Sequence, residues 1–151
     1  MYAIRITGEY MGLIYAEQLE DMDYDPMQET HESEIKLLNE IDKLAIGYEM
    51  GRGTKEALEE KLDQYIEHVK KHFADEEALM EKYNFPSYEM HKTAHDMFLM
   101  DLQYAVNMWK NNGNINKMIT FIRKVPEWLQ MHVNSVDAPT ASFIARKESG
   151  S

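Results

Sequence analysis

Glycine and proline are scarce in this chain of 151 residues, seven and four respectively, and they fall between long periodic segments rather than within them. Both residues interrupt helices, so their placement divides the chain into a few long helical stretches. Asp25-Pro26 reads as an N-cap followed by proline in the first turn, with Gln28 three residues after the cap. Ile35, Leu38, Ile41 and Ala45 then recur at helical spacing until Gly51-Arg52-Gly53 breaks the pattern. Thr54 can cap a second helix, striped by Leu58, Leu62, Tyr65, Val69, Leu79 and Met80 and stopped by Asn84 and Pro86. Ser87 opens a third through Phe98, Leu102 and Val106, closed by Asn111-Asn112-Gly113-Asn114. A fourth contains Pro126, which predicts a kink or a split there.

Helices near 27–50, 54–83, 87–111 and 115–137, joined by short loops, predict an all-α fold: an antiparallel up-down-up-down four-helix bundle over residues 25–145. Residues 1–24 read as an N-terminal arm, where Ala3, Ile4 and Ile6 with Leu13, Ile14 and Tyr15 suggest a packed arm or short helix. Residues 146–151 read as a tail or linker stub. Twelve methionines, many on apolar faces, suit an adaptable core.

Composition removes several classes of function. Lys and Arg number 16 against 27 Asp and Glu, a net charge of −11 that repels phosphate backbones and anionic lipid. The expectation is therefore no nucleic acid and no membrane partner. No apolar run approaches the roughly 20 residues of a spanning helix, and no secretory apolar region is evident, so the expected location is cytoplasmic. The absence of cysteine excludes disulfides, zinc fingers, iron–sulfur clusters and thiol catalysis. Any metal must be held by histidine and carboxylate.

Those residues are present in a pattern. The histidines are His31, His68, His72, His91, His95 and His132, with at least one on each predicted helix. His72 and Glu76 stand four apart and so project from one face, as do His91 and His95. Asp137 lies five beyond His132, an awkward spacing that reaches the same side only if the helix end bends or the carboxylate swings back. A lone histidine on an apolar face is more often a satisfied core residue. Matched polar sets on every helix are different, because a bundle core does not accumulate unpaired polar groups without a ligand. Imidazole and carboxylate without thiolate suit iron or another first-row metal.

The segments His72-Phe73-Ala74-Asp75-Glu76-Glu77-Ala78-Leu79-Met80, His91-Lys92-Thr93-Ala94-His95 and Trp128-Leu129-Gln130-Met131-His132, followed by Asp137, resemble the hemerythrins, in particular those of bacteria. His31 followed by Leu38-Asn39 is similar to the family's first ligand helix, and the likeness covers roughly residues 27–145. The resemblance implies two iron ions: one held by His91, His95 and His132, the other by His31 and His72, with Glu76, Asp137 and an oxo or hydroxo group bridging them. The second iron would keep an open position for O₂ or a related small ligand. Glu77, about 140° around the helix from His72, is expected to face solvent.

The chain departs from the family's pattern in its arm, where Ala16, Met27 and Gln28 replace the usual Trp and Ile-Asp pair, and at Pro126. It departs again at Glu34, where the family has an apolar wall beside the O₂ pocket. With His31 at zero, Glu34 falls at about 300°, between Ile41 and Leu38, and so points inward. Direct contact with the iron or pairing with His68 would satisfy it, and Phe73, Phe98, Leu99 and Leu129 are the other expected pocket residues. The readings that follow are an O₂-binding protein for carriage or storage, or an O₂ or redox sensor with a fused or partner signalling domain. The alternative is a di-iron redox enzyme acting on peroxide or as an oxidase through Glu34 and His68. A metal-free helical interaction module leaves the constellation unexplained. No catalytic residue is assigned.

Overall fold

The computed structural model describes residues 5–6, 9–10 and 25–150 of the chain. Four long helices form: α1 Asp25–Glu49, α2 Lys55–Lys82, α3 Tyr88–Asn112 and α4 Ile115–His132. α1 packs on α2, α2 on α3, α3 on α4, and α4 closes the ring against α1. Short connections force each helix to reverse on its predecessor, giving the expected up-down-up-down bundle. Thr54 caps α2 by accepting a hydrogen bond from the Ala57 N–H at 3.1 Å, and Asn114 caps α4 through the Lys117 N–H at 3.1 Å. Gly113 ends α3 in the left-handed conformation, φ 67°, with its N–H bonded back to the last turn.

The apolar stripes read from sequence meet on the axis, where Leu38, Ile41, Leu58, Leu62, Val69, Leu102, Val106 and Ile122 are buried. Full burial of one such side chain contributes about 1.5–3 kcal/mol. Asp42 is buried too, and it accepts from Arg123 Nε at 3.1 Å, tying α1 to α4 with a charge-assisted bond.

The fourth helix departs from expectation. Helix α4 runs through Pro126 without a split. The irregularity comes later, in a π-helical segment at Val133–Asp137, after which α5 continues over Ala138–Glu148. Pro139 supplies the physical reason: lacking an N–H, it cannot extend the α ladder, and the preceding Ala138 N–H bonds five residues back to the Val133 carbonyl. In the arm, Arg5–Ile6 and Glu9–Tyr10 pair as antiparallel strands β1 and β2. The remaining arm positions, Ala3, Ile4, Leu13, Ile14, Tyr15 and Ala16 among them, lie outside the described residues. Helix α5 ends at Glu148, three residues beyond position 145. Among the described residues no helix is long and apolar enough to cross a membrane.

Candidate metal centre

Where α1 and α3 begin and α2 and α4 end, the bundle buries His31, His72, Glu76, His91, His95, His132 and Asp137. The layer sits toward that end, not at the helix middles. Antiparallel packing explains the convergence: positions early in α1 and α3 share a height with positions late in α2 and α4.

Two groups of donors form. His91, His95, His132 and Asp137 bring one ligand atom each within 4.8 Å of one another, as do His31, His72, Glu76 and Asp137. Asp137 spans both, with Oδ2 2.9 Å from His31 Nε2 and Oδ1 3.0 Å from His91 Nε2 and 3.1 Å from His132 Nε2. Glu76 spans them as well: Oε2 lies 2.5 Å from His72 Nε2, and Oε1 lies 3.2 Å from His91 Nε2 and 3.3 Å from His95 Nε2. The π turn makes the Asp137 position workable. Its i→i+5 pitch brings residues five apart back over one another, which an α turn does not.

These close approaches are mostly not hydrogen bonds. His31 Nδ1 and Nε2, Glu76 Oε1, both Asp137 oxygens and Nε2 of His91, His95 and His132 are buried without a hydrogen-bond partner. Donor atoms packed about 3 Å apart yet not aimed at one another share a common target instead, which is how ligands of one ion are disposed. The layer balances its own charge, and a bound cation would take the place of the imidazole protons. Burial opposes protonation of His72 and His91, but the adjacent carboxylates, Glu76 for His72 and Asp137 with Glu76 for His91, outweigh it and raise each to about 9. Burial pushes Asp137 and Glu76 up, yet the surrounding imidazoles hold both well below the ordinary carboxylate range. The donors hold anionic carboxylates ready for a cation.

The next layer of contacts is uneven. His91 Nδ1 donates to Thr140 Oγ1 at 3.0 Å, whose own hydroxyl proton goes to the Val136 carbonyl at 2.9 Å. The His95 Nδ1–H donates to Glu77 Oε2 at 3.0 Å. Each bond places the proton on Nδ1 and leaves Nε2 as the ligand atom. Glu77 therefore does not face solvent as expected; its side chain is 19 % exposed and turns across to α3. His31 and His72 have no such support, since Nδ1 of each is buried and unpartnered.

Around the centre, Phe73 stacks on His95 with centroids 3.8 Å apart, and Trp128 stacks on His132 at 4.4 Å. Phe98 and Leu129 are buried and Leu99 is partly buried against the core. Glu34 is buried, 1 % exposed, so the inward direction holds. It gives no oxygen to either donor group. The expected His68 pairing is also replaced: His68 Nε2 donates to the Thr30 carbonyl at 3.3 Å, and burial lowers its pKa against the opposing pull of Glu34. Glu34 acts on Tyr65 as well, whose phenol is pushed well above its usual value by burial first and by the Glu34 charge second. Both Glu34 Oε2 and Tyr65 Oη are buried without a partner. Tyr65 was legible only as an apolar-stripe residue, although its place seven before His72 was a signal; Glu77 and Thr140 needed the tertiary contacts.

An all-helical bundle enclosing two overlapping His–carboxylate donor groups defines a metal-binding four-helix protein. The profile described as "Hemerythrin HHE cation binding domain" matches residues 22–138, and the chain belongs to the hemerythrin family. It is 31 % identical to a bacteriohemerythrin of Aquifex aeolicus over 117 residues, 76 % of this chain and 85 % of that protein. It is 31 % identical to a bacteriohemerythrin of Ralstonia nicotianae over 86 residues, 57 % and 62 % of the two chains. The likeness extends to hemerythrin subunit 1 of Golfingia vulgaris, 31 % identical over 67 residues, 44 % and 47 % of the two. No solved structure matches with comparable significance.

Proposed function

We propose that the chain is a non-haem di-iron protein that binds O₂, in carriage, storage or sensing. The carrying observation is the inequality of the donor groups. With Glu76 and Asp137 shared, one ion takes three imidazoles (His91, His95, His132) and the other takes two (His31, His72). The second ion is left one protein ligand short, and an open position is what a small ligand needs. Two iron ions, when bound, supply the reversible O₂ chemistry. The chain's residues set its surroundings: Thr140 and Glu77 orient His91 and His95, and the buried layer excludes water.

Iron analysis and an absorption spectrum in air, after anaerobic reduction and after re-exposure test this reading. About two irons per chain and a spectrum that returns on re-oxygenation are expected. One zinc per chain, or no change on reduction, overturns it.

A second reading, redox chemistry on peroxide or substrate, has an observation of its own: Glu34 and Tyr65 bury a carboxylate and a phenol on the helices that carry His31 and His72. A proton donor beside a bound ligand favours turnover over release. Steady peroxide consumption abolished by Glu34→Leu supports it. For location and partners we propose a cytoplasmic protein, alone or acting with a signalling domain.

A further inference from the structure

A groove of about 1080 Å³ opens along the α3–α4 seam, just above the usual upper bound of about 1,000 Å³ for small-molecule sites. Phe98, Phe121, Val125 and Trp128 line it with apolar surface, and Met97, 61 % exposed, forms an adaptable lip. Lys117 and Lys124 also line it, seven residues apart on one face of α4 with Thr120 between them. The Lys117 ammonium lies 5.6 Å from the Tyr104 ring across the groove. Among the described residues neither lysine pairs with a carboxylate, in a chain where 27 acidic residues outnumber 16 basic ones; Lys110 and Arg123 nearby are both paired. Asp101 is the one carboxylate among the lining residues.

The aromatic floor runs on into the metal centre. Trp128 lies 4.2 Å from Phe98 and 4.4 Å from His132, centroid to centroid, stacked on both. A flat ring in the groove would therefore stand one aromatic residue from a ligand histidine. The lysines begin about 6 Å along α4 from Trp128 and extend to about 16 Å, the span of a ring with an anionic side chain.

We propose that this groove binds a planar fused-ring aromatic bearing a phosphate, of the flavin mononucleotide type, and that the reduced ring supplies electrons to the centre through Trp128 and His132. The binding half stands on the groove; the electron half rests on the di-iron reading. The balance is simple. The reduced ring loses two electrons and two protons, the protons pass to water, and each electron converts one ferric ion to ferrous.

Oxidised flavin mononucleotide titrated into the protein as purified in air, followed by flavin fluorescence, tests the binding half apart from electron transfer, since oxidised flavin has no electrons to give a ferric centre. Saturable one-to-one quenching is expected, weakened about tenfold for riboflavin, which lacks the phosphate, and by a similar factor in the Lys117→Glu/Lys124→Glu variant. No saturable binding, no loss in the lysine variant, or equal binding of adenosine monophosphate overturns it. For the electron half, iron-loaded ferric protein is mixed anaerobically with photoreduced flavin mononucleotide. Slower bleaching in the lysine variant, with an unchanged rate for dithionite, is expected; equal rates with flavin overturn it.

Discussion

Two carboxylates that differ from expectation show how much one side chain's surroundings decide. Glu34 is buried beside Tyr65, and Glu77 reaches from α2 to the His95 ring on α3. Carboxylates that orient metal-ligating histidines typically hold 10–100-fold in metal affinity. Glu77→Leu or Thr140→Val is therefore expected to weaken the ion at His91, His95 and His132 by about that factor, read by chelator competition, with little effect on the neighbouring ion. Glu34→Leu replaces a buried carboxylate with an apolar side chain and is expected to lengthen the life of the oxygenated form by about tenfold or more, since an apolar wall gives a proton no route to the bound ligand. An unchanged autoxidation rate would show that Glu34 has no part in it. Tyr65 allows a pH test whose sign is fixed. Its folded pKa lies well above the unfolded value of about 10, so the folded state keeps a proton that the unfolded state loses. Stability is unaffected below about pH 10 and falls as pH rises above it. Melting curves taken into alkali should show a steeper decline for the native chain than for Tyr65→Phe.

At the scale of elements, the π-helical segment Val133–Asp137 carries the most consequence for its length. It reorients Asp137 onto the ligand face and starts α5 so that Thr140 reaches His91. Inserting one alanine after Ser135 would carry Asp137 about 80–100° further around the helix and swing it away from the donors. The expected result is a helical protein with less than two irons per chain, measured by metal analysis with circular dichroism as the control for folding. Ser135→Ala, which keeps the length, should keep the metal, because that side chain is exposed.

For the whole molecule, seven buried polar ligands in a bundle core make stability depend on metal. An ion that binds only the folded state adds about 4 kcal/mol at a thousandfold excess over its dissociation constant. Chelation is therefore expected to lower Tm, and His72→Ala or His95→Ala to lower iron content and stability together. Much of this was legible in the chain itself. Helix number, helix order and the convergence of His31, His72, Glu76, His91, His95, His132 and Asp137 follow from periodicity, caps and spacing, all local properties of sequence. Tertiary structure decided the rest. Pro126 reads in sequence as a breaker yet sits inside an unbroken α4, while Pro139 coincides with the change of pitch. Glu77 looks outward on an isolated helix, and only the approach of α3 gives it His95 as a partner. The wheel position of Glu34 is local and was readable; its neighbour was not, because which of Tyr65 and His68 stands across from it depends on how α1 and α2 are rotated against each other.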